Sequence, residues 1–103
     1  MSVKIVTERV VDPERQEEAF GLLRELRARA VLQPGYVFGE TLVSVDRPGK
    51  HMVISTWNKL QDWEAWENNP ERLQMLHGIE SLLVEPIRTS VYTAAWATLP
   101  EDF

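Results

Sequence analysis

The chain has 103 residues, 44% of them apolar and 26% charged, which is typical of one small globular domain. Eleven lysines and arginines against sixteen acidic residues give a net charge of −5, which argues against binding to nucleic acid or to an anionic membrane. The absence of cysteine excludes a disulfide scaffold and a thiol nucleophile, and it suits a cytoplasmic protein. We expect a single domain over 1–103, with a core at about 2–97 and a C-terminal tail at 98–103.

The first half of the chain predicts a strand, a helix and a β-hairpin. Residues 3–11 are rich in β-branched side chains and predict the strand. Asp12-Pro13-Glu14 has the pattern of a helix start, and Gln33-Pro34-Gly35 ends the apolar helical repeat that follows. The strand-like runs 36–46 and 51–57 are joined by turn residues, which indicates a hairpin.

The second half predicts two helical segments and a last strand. Asn58 is placed to cap a short helix, Asn69-Pro70-Glu71 starts another, and Pro86 ends it. Residues 87–97 predict the last strand. The order β-α-β-β-α-β indicates an α+β, ferredoxin-like fold, with four antiparallel strands and the helices on one face.

Both faces of this sheet carry apolar residues. Val3 and Ile5 share one face of the first strand, and Val6 and Val10 share the other. Because the helices cover only one face, we expect a second sheet to cover the other, as in a homodimer. Ile5 is taken as an interface position, where a charge should dissociate or unfold the dimer.

No motif for phosphate binding, zinc binding or a nucleophilic serine occurs in the chain. The only histidines are His51 and His77, and neither has a carboxylate at a recognised ligand spacing. We therefore expect neither a metal site nor a cofactor.

Tryptophan is the unusual feature, with four in the chain and three close together at Trp57, Trp63 and Trp66. The last two lie three positions apart on a predicted helix and can share a face. Aromatic residues at this spacing form either the core of a small domain or a flat apolar wall for an aromatic ligand. Both interpretations remain open on the spacing.

Glu8 is a carboxylate in the middle of the first strand, on the same face as Val6 and Val10. Such a group is costly to bury unless it is paired or lies at a cavity. It either pairs with Arg88 or Tyr92 of the last strand, or it has a functional role.

The chain resembles the antibiotic-biosynthesis-monooxygenase family over about residues 2–95. The resemblance is carried by the element order and by three segments: Pro34-Gly35-Tyr36-Val37, Glu40-Thr41-Leu42, and Ser55-Thr56-Trp57 with Trp63-Glu64-Ala65-Trp66. It implies a dimeric α/β barrel with a cavity between sheet and helices in each subunit. Known members include cofactor-independent oxygenases of aromatic or quinol-type compounds, in which a deprotonated substrate reacts directly with oxygen, and haem-degrading enzymes.

The haem-degrading branch has an asparagine on the first strand, a tryptophan on the second helical segment and a histidine beyond it. Here Glu8 occupies the asparagine position and Trp66 matches the tryptophan, but the histidine position falls on Leu76, one residue before His77. A shift of one residue turns a helical side chain by about 100°. The haem-degrading activity therefore ranks third.

We expect a pocket between the helices and the sheet, with Glu8 as proton acceptor and Trp66 as the main aromatic contact. The other ligand-binding candidates are Trp57, Trp63, Leu76, His77 and Tyr92. The first hypothesis is a cofactor-independent monooxygenase of small aromatic or quinol-type compounds. The alternative is a dimeric ligand-binding barrel without catalytic activity.

Overall fold

The computed structural model describes residues 1–98, so all but the first residue of the expected tail at 98–103 lies outside the described residues. The strands are β1 (Val3–Val10), β2 (Tyr36–Val43), β3 (Lys50–Trp57) and β4 (Arg88–Tyr92). The helices are α1 (Gln16–Ala30), α2 (Leu60–Glu67) and α3 (Pro70–Glu80), and a 3-10 turn (Pro13–Arg15) precedes α1. None of these helices is long and apolar enough to cross a membrane.

Two of the three helix-start signals are confirmed. The Asp12 carboxylate accepts a hydrogen bond from the Glu14 backbone N–H at 3.0 Å, at the start of the 3-10 turn. The Asn69 side chain accepts from the Glu71 N–H at 2.8 Å and separates α2 from α3. Asn58 does not cap α2, because that helix begins at Leu60 and its N-cap residue is Lys59. The Lys59 side chain makes no capping hydrogen bond.

The four strands form one antiparallel sheet in the order β2-β3-β1-β4. With β1 and β3 in the centre and the helices on one face, this is the predicted ferredoxin-like fold. The last strand is shorter than predicted and ends at Tyr92. The central strands carry the side chains that meet the helices, so they determine what the interior contains.

The helices cover the opposite face of β1 from the one predicted. Ile5 is 1% exposed and belongs to the core with Leu26 and Ile79, whereas Val6 and Glu8 lie on the open face. Ile5 is therefore a core residue, and its assignment to the dimer interface is wrong. Alternation in a strand shows which residues share a face, but it does not show which face the helices cover.

A β-bulge interrupts β2 near its start. Tyr36 pairs with Trp57 and Phe38 pairs with Thr56, so Val37 is an extra residue without a partner on β3. Because of the bulge, Tyr36 and Phe38 lie on opposite faces of the sheet although they are two positions apart. Tyr36 packs against the core, and Phe38 stays 57% exposed on the open face.

Candidate active site

A cavity of about 300 Å³ lies between α1 and the helix-covered face of the sheet, and it extends to α2 and α3. Apart from Glu40, the strand residues that line it point toward the helices, Thr7 and Arg9 of β1 among them. The remaining walls come from the helices and from β2 and β3, and they include Phe20, Leu23, Tyr36, Thr41, Val53, Trp57, Trp63 and Trp66. Most of these side chains are apolar, which suits a small organic ligand.

The three clustered tryptophans form part of this wall and part of the core. Trp57, Trp63 and Trp66 are 1%, 5% and 3% exposed. The Trp57 ring meets Trp63 edge to face at 5.8 Å between centroids, and its Nε1 donates to the Ser55 hydroxyl at 3.1 Å. The core interpretation is therefore confirmed, and because the same indoles also line the cavity, the aromatic-wall interpretation stays a prediction.

Tyr36 brings a phenol to the same wall, with its ring 5.3 Å from that of Trp57. Burial raises the pKa of Tyr36 above its usual value of 10, against the opposing effect of the Arg27 charge. Gly39 lies under the Tyr36 hydroxyl, so a Cβ at that position would collide with the phenol oxygen. The missing side chain of Gly39 is thus what allows the Tyr36 ring to lie against the sheet.

Four arginines line the cavity: Arg9, Arg24, Arg27 and Arg72. The one carboxylate residue among the lining residues is Glu40, which is exposed and lies on the strand position that faces away from the helices. The cavity is therefore a site of concentrated positive charge in a protein with a net charge of −5. Positive charge between low-dielectric walls attracts and stabilises anions.

Arg9 is the most buried of the four, at 5% exposure. Its Nε is fully buried and has no hydrogen-bond partner, and Arg9 takes part in none of the ion pairs within residues 1–98. Burial and the nearby charge of Arg72 lower the pKa of Arg9 from its ordinary value to about 10. This guanidinium is a buried cation that lacks a counterion.

Arg72 is also buried, but it has partners. Its Nη1 donates to the Glu67 backbone oxygen at 2.9 Å, and its guanidinium lies 5.1 Å from the centroid of the Trp63 ring. Burial lowers the pKa of Arg72, and the charge of Glu67 opposes that effect. Arg72 therefore fixes the junction of α2 and α3 while its charge adds to the potential of the cavity.

His51 lies next to Arg9 across the β1–β3 pair and is 2% exposed. Neither ring nitrogen has a hydrogen-bond partner, and the ring meets Phe20 edge to face at 5.7 Å. Burial and the Arg9 charge lower the pKa of His51 below 6.5. The imidazole is consequently neutral at pH 7 and lies behind the cavity wall.

The cavity does not include all of the residues expected from the sequence. Glu8 and Tyr92 lie on the open face of the sheet, because their strand neighbours Thr7 and Val91 take the positions toward the helices. Glu8 is therefore not at the cavity, which corrects the expectation of a carboxylate proton acceptor there. Trp57, Trp63 and Trp66 are brought together as expected.

The two helix residues considered for haem binding are also outside the cavity wall. Leu76 is partly buried and packs against the core. His77 has 84% of its side chain exposed, and its Nδ1 lies 3.4 Å from a Glu80 carboxylate oxygen. Neither residue offers a nitrogen ligand to the cavity. Within residues 1–98, no three histidine or acidic residues form a group able to hold a metal ion.

Sequence reasoning missed Arg9, Arg72, His51 and Tyr36. A usable signal exists for Arg9, since residues 3, 5, 7, 9 and 11 alternate along one face and read Val, Ile, Thr, Arg, Val. An arginine within an otherwise apolar face must find a partner, a cavity or a ligand. The burial of Arg72 depends on the break between α2 and α3 and has no comparable signal.

The fold and cavity define a class of protein, a ferredoxin-like α+β domain with an aromatic, positively charged cavity between sheet and helices. The model of the family described as antibiotic biosynthesis monooxygenase matches residues 2–77. The chain belongs to this family. Protein SchA of Streptomyces halstedii is 25% identical over 65 residues, which are 63% of this chain but only 17% of SchA.

Two solved structures illustrate the shared fold. SnoaB, a cofactor-independent oxygenase from Streptomyces nogalater, is 24% identical with a TM-score of 0.75, over 97% of this chain and 98% of SnoaB. Rv0793 from Mycobacterium tuberculosis is 14% identical with a TM-score of 0.84, over 96% of this chain and all 100% of Rv0793. At these identities the likeness shows the fold alone, so any argument about activity has to come from the residues of the cavity.

Proposed function

We propose that the protein is a cofactor-independent monooxygenase that oxidises an electron-rich aromatic compound with a phenol or enol group. The observation that carries this proposal is the cavity itself, where indole and phenol rings form the walls and guanidinium groups exceed carboxylates. Family membership and the similarity to SnoaB, a cofactor-independent oxygenase, support the reaction type.

The proposed reaction needs no electron donor other than the substrate. A substrate that loses a proton becomes an electron-rich anion, which gives one electron to O₂ and then combines with the resulting superoxide to form a C–O bond. Protonation of the peroxide and loss of a second proton from the same carbon break the O–O bond. A CH₂ group and O₂ thus become a C=O group and water, with all four electrons supplied by the substrate.

The role of the protein in this reaction is to stabilise negative charge and to hold the ring. Positive groups near a phenol or enol lower its pKa, so the arginines favour the reactive anion. The tryptophan wall orients the aromatic plane and keeps it in an apolar environment. Because Glu8 does not line the cavity, we propose that the proton leaves through the open side of the cavity to water.

Oxygen uptake with anthrone and a panel of hydroquinones tests the proposal. We expect uptake above the uncatalysed rate for anthrone, and ¹⁸O₂ should place one labelled atom in the product carbonyl. Trp66→Phe should raise KM for anthrone, because it removes part of the ring wall. Trp96→Phe is the matched control, since Trp96 is 84% exposed and does not line the cavity.

The same experiment separates the enzyme from a ligand-binding barrel. Tight binding of anthrone together with oxygen uptake at the background rate across the whole panel would support the non-catalytic alternative. Uptake that Trp66→Phe and Trp96→Phe leave equally unchanged would place the reaction outside this cavity.

We also propose that two chains associate through the open face of the sheet. That face carries the apolar residues Val6, Phe38, Leu42, Met52 and Ile54. Phe38 and Leu42 are 57% and 43% exposed in the single chain, and a second copy of the sheet would cover them. Sedimentation at micromolar concentration should therefore give a mass of twice 11.9 kDa.

A further inference from the structure

No residue within 1–98 supplies a counterion to the buried Arg9. It is 5% exposed, its Nε has no hydrogen-bond partner, and it lines the cavity. The neighbouring charge that acts on the pKa of Arg9 is that of Arg72, which is also a cation. A buried charge normally has a counterion or a full set of hydrogen bonds, because its desolvation is expensive.

A neutral aromatic ligand makes this situation worse. When such a ligand enters, it displaces water from the cavity and leaves Arg9 in a still lower dielectric. A ligand with a permanent negative charge does the opposite, because the charge supplies the missing counterion. The anion has to be present before the reaction starts, so a phenol that ionises only during turnover does not meet this requirement.

We propose that the natural ligand of the cavity is an aromatic acid whose carboxylate pairs with Arg9 while its rings lie against the tryptophan wall. This inference rests on the proposed function and specifies its substrate class. A carboxylate fits because it is planar and accepts two parallel hydrogen bonds from a guanidinium. Since the cavity volume is about 300 Å³, at the low end of ligand sites, a system of two or three fused rings fits best.

The other arginines divide into two groups around Arg9. Arg72 is held by the Glu67 carbonyl and the Trp63 ring, so its hydrogen-bonding capacity is partly used. Arg24 and Arg27 are exposed residues of α1 that also line the cavity. Their exposed positive charges attract an anion toward the cavity, whereas Arg9 is the buried group that receives it.

Calorimetric titration with 2-naphthoate and with the neutral 2-naphthamide tests the proposal at pH 8. Neither compound has to be oxidised, so the measurement is independent of turnover. We expect the acid to bind about tenfold or more tightly than the amide, as charge-assisted hydrogen bonds predict. In Arg9→Met the acid should lose this advantage, while the amide should bind at least as tightly as it binds the unmodified protein, because it no longer desolvates a buried cation.

Two further variants complete the test. Arg47→Met is the matched control, because Arg47 is exposed and pairs with Glu85 at 3.1 Å, away from the cavity lining. It should keep the preference for the acid. Arg9→Lys retains the positive charge and should keep a reduced preference, which covers the case in which Arg9→Met does not fold.

The outcomes distinguish this inference from the proposed function. Equal affinity of the unmodified protein for acid and amide, or a preference for the acid that persists in Arg9→Met, overturns the assignment of the carboxylate. Oxygen uptake from anthrone would still support the oxygenase in that case. A preference for the acid that depends on Arg9, without oxygen uptake from any tested compound, would support the binding site and overturn the oxygenase.

Discussion

Replacement of Arg9 by methionine should stabilise the protein in the absence of ligand. The lowering of the Arg9 pKa to about 10 means that folding penalises the charged guanidinium by roughly 3 kcal/mol. Because the protonated form is the disfavoured one, the full penalty applies below about pH 10 and is relieved only as the pH rises above that value toward the ordinary pKa of arginine. At pH 7 the methionine variant avoids this penalty and keeps most of the aliphatic volume.

Urea unfolding at pH 7 and at one fixed protein concentration measures the effect. We expect Arg9→Met to raise the free energy of unfolding by about 1–3 kcal/mol, less than the full penalty because the new side chain packs imperfectly. Arg72→Met is the matched comparison. Burial also penalises the Arg72 charge, but Arg72 donates a hydrogen bond at 2.9 Å and lies over Trp63. We expect the loss of these two contacts to outweigh that penalty and to lower the free energy of unfolding by about 1–2 kcal/mol.

Replacement of the two buried arginines is thus expected to change the free energy of unfolding in opposite directions. If Arg9→Met destabilises the protein by more than about 1 kcal/mol, then the guanidinium has partners and the argument for a missing anion fails. If both variants stabilise the protein, burial alone decides the effect and the contacts of Arg72 contribute little.

Three other changes have defined outcomes. The free energy of unfolding should fall as the pH drops below 6.5, because the pKa of His51 is lower in the folded protein and the unfolded chain therefore binds the proton first. His51→Phe should reduce the slope of the free energy of unfolding against pH, measured by urea titrations at several pH values. An unchanged slope would contradict this role of His51. Phe38→Glu should give monomers in sedimentation, whereas Val45→Glu, at a 97% exposed position outside the sheet, should not. Glu8→Gln should leave oxygen uptake unchanged, since Glu8 does not line the cavity, and abolished uptake would restore it as the base.

The order of elements was predictable because its boundaries depend on local chemistry. Asp12 and Asn69 begin their helices through hydrogen bonds to backbone N–H groups two residues further on, and these contacts need no tertiary partner. The clustering of Trp63 and Trp66 was predictable for the same reason, since helical spacing places them on one side of α2.

The inner face of the sheet was not predictable in the same way. Ile5 and Val6 are equally apolar, and the choice between them depends on how the helices pack as a whole. Because the helices cover the Ile5 face, Arg9 lies at the cavity and Glu8 lies on the open face. The face of β1 that the helices cover therefore determines the positions of both Glu8 and Arg9, and the sequence of β1 does not show which face that is.

The bulge in β2 has a consequence for how this chain tolerates changes in length. Since Val37 has no partner on β3, a deletion at that position leaves Tyr36 facing the helices and Phe38 facing outward. A deletion anywhere between 38 and 43 instead turns part of the strand over and exchanges cavity residues with those of the open face. Evolutionary insertions and deletions in this strand are therefore expected to accumulate at the bulge, where the strand's curvature can change while each surface keeps its own residues.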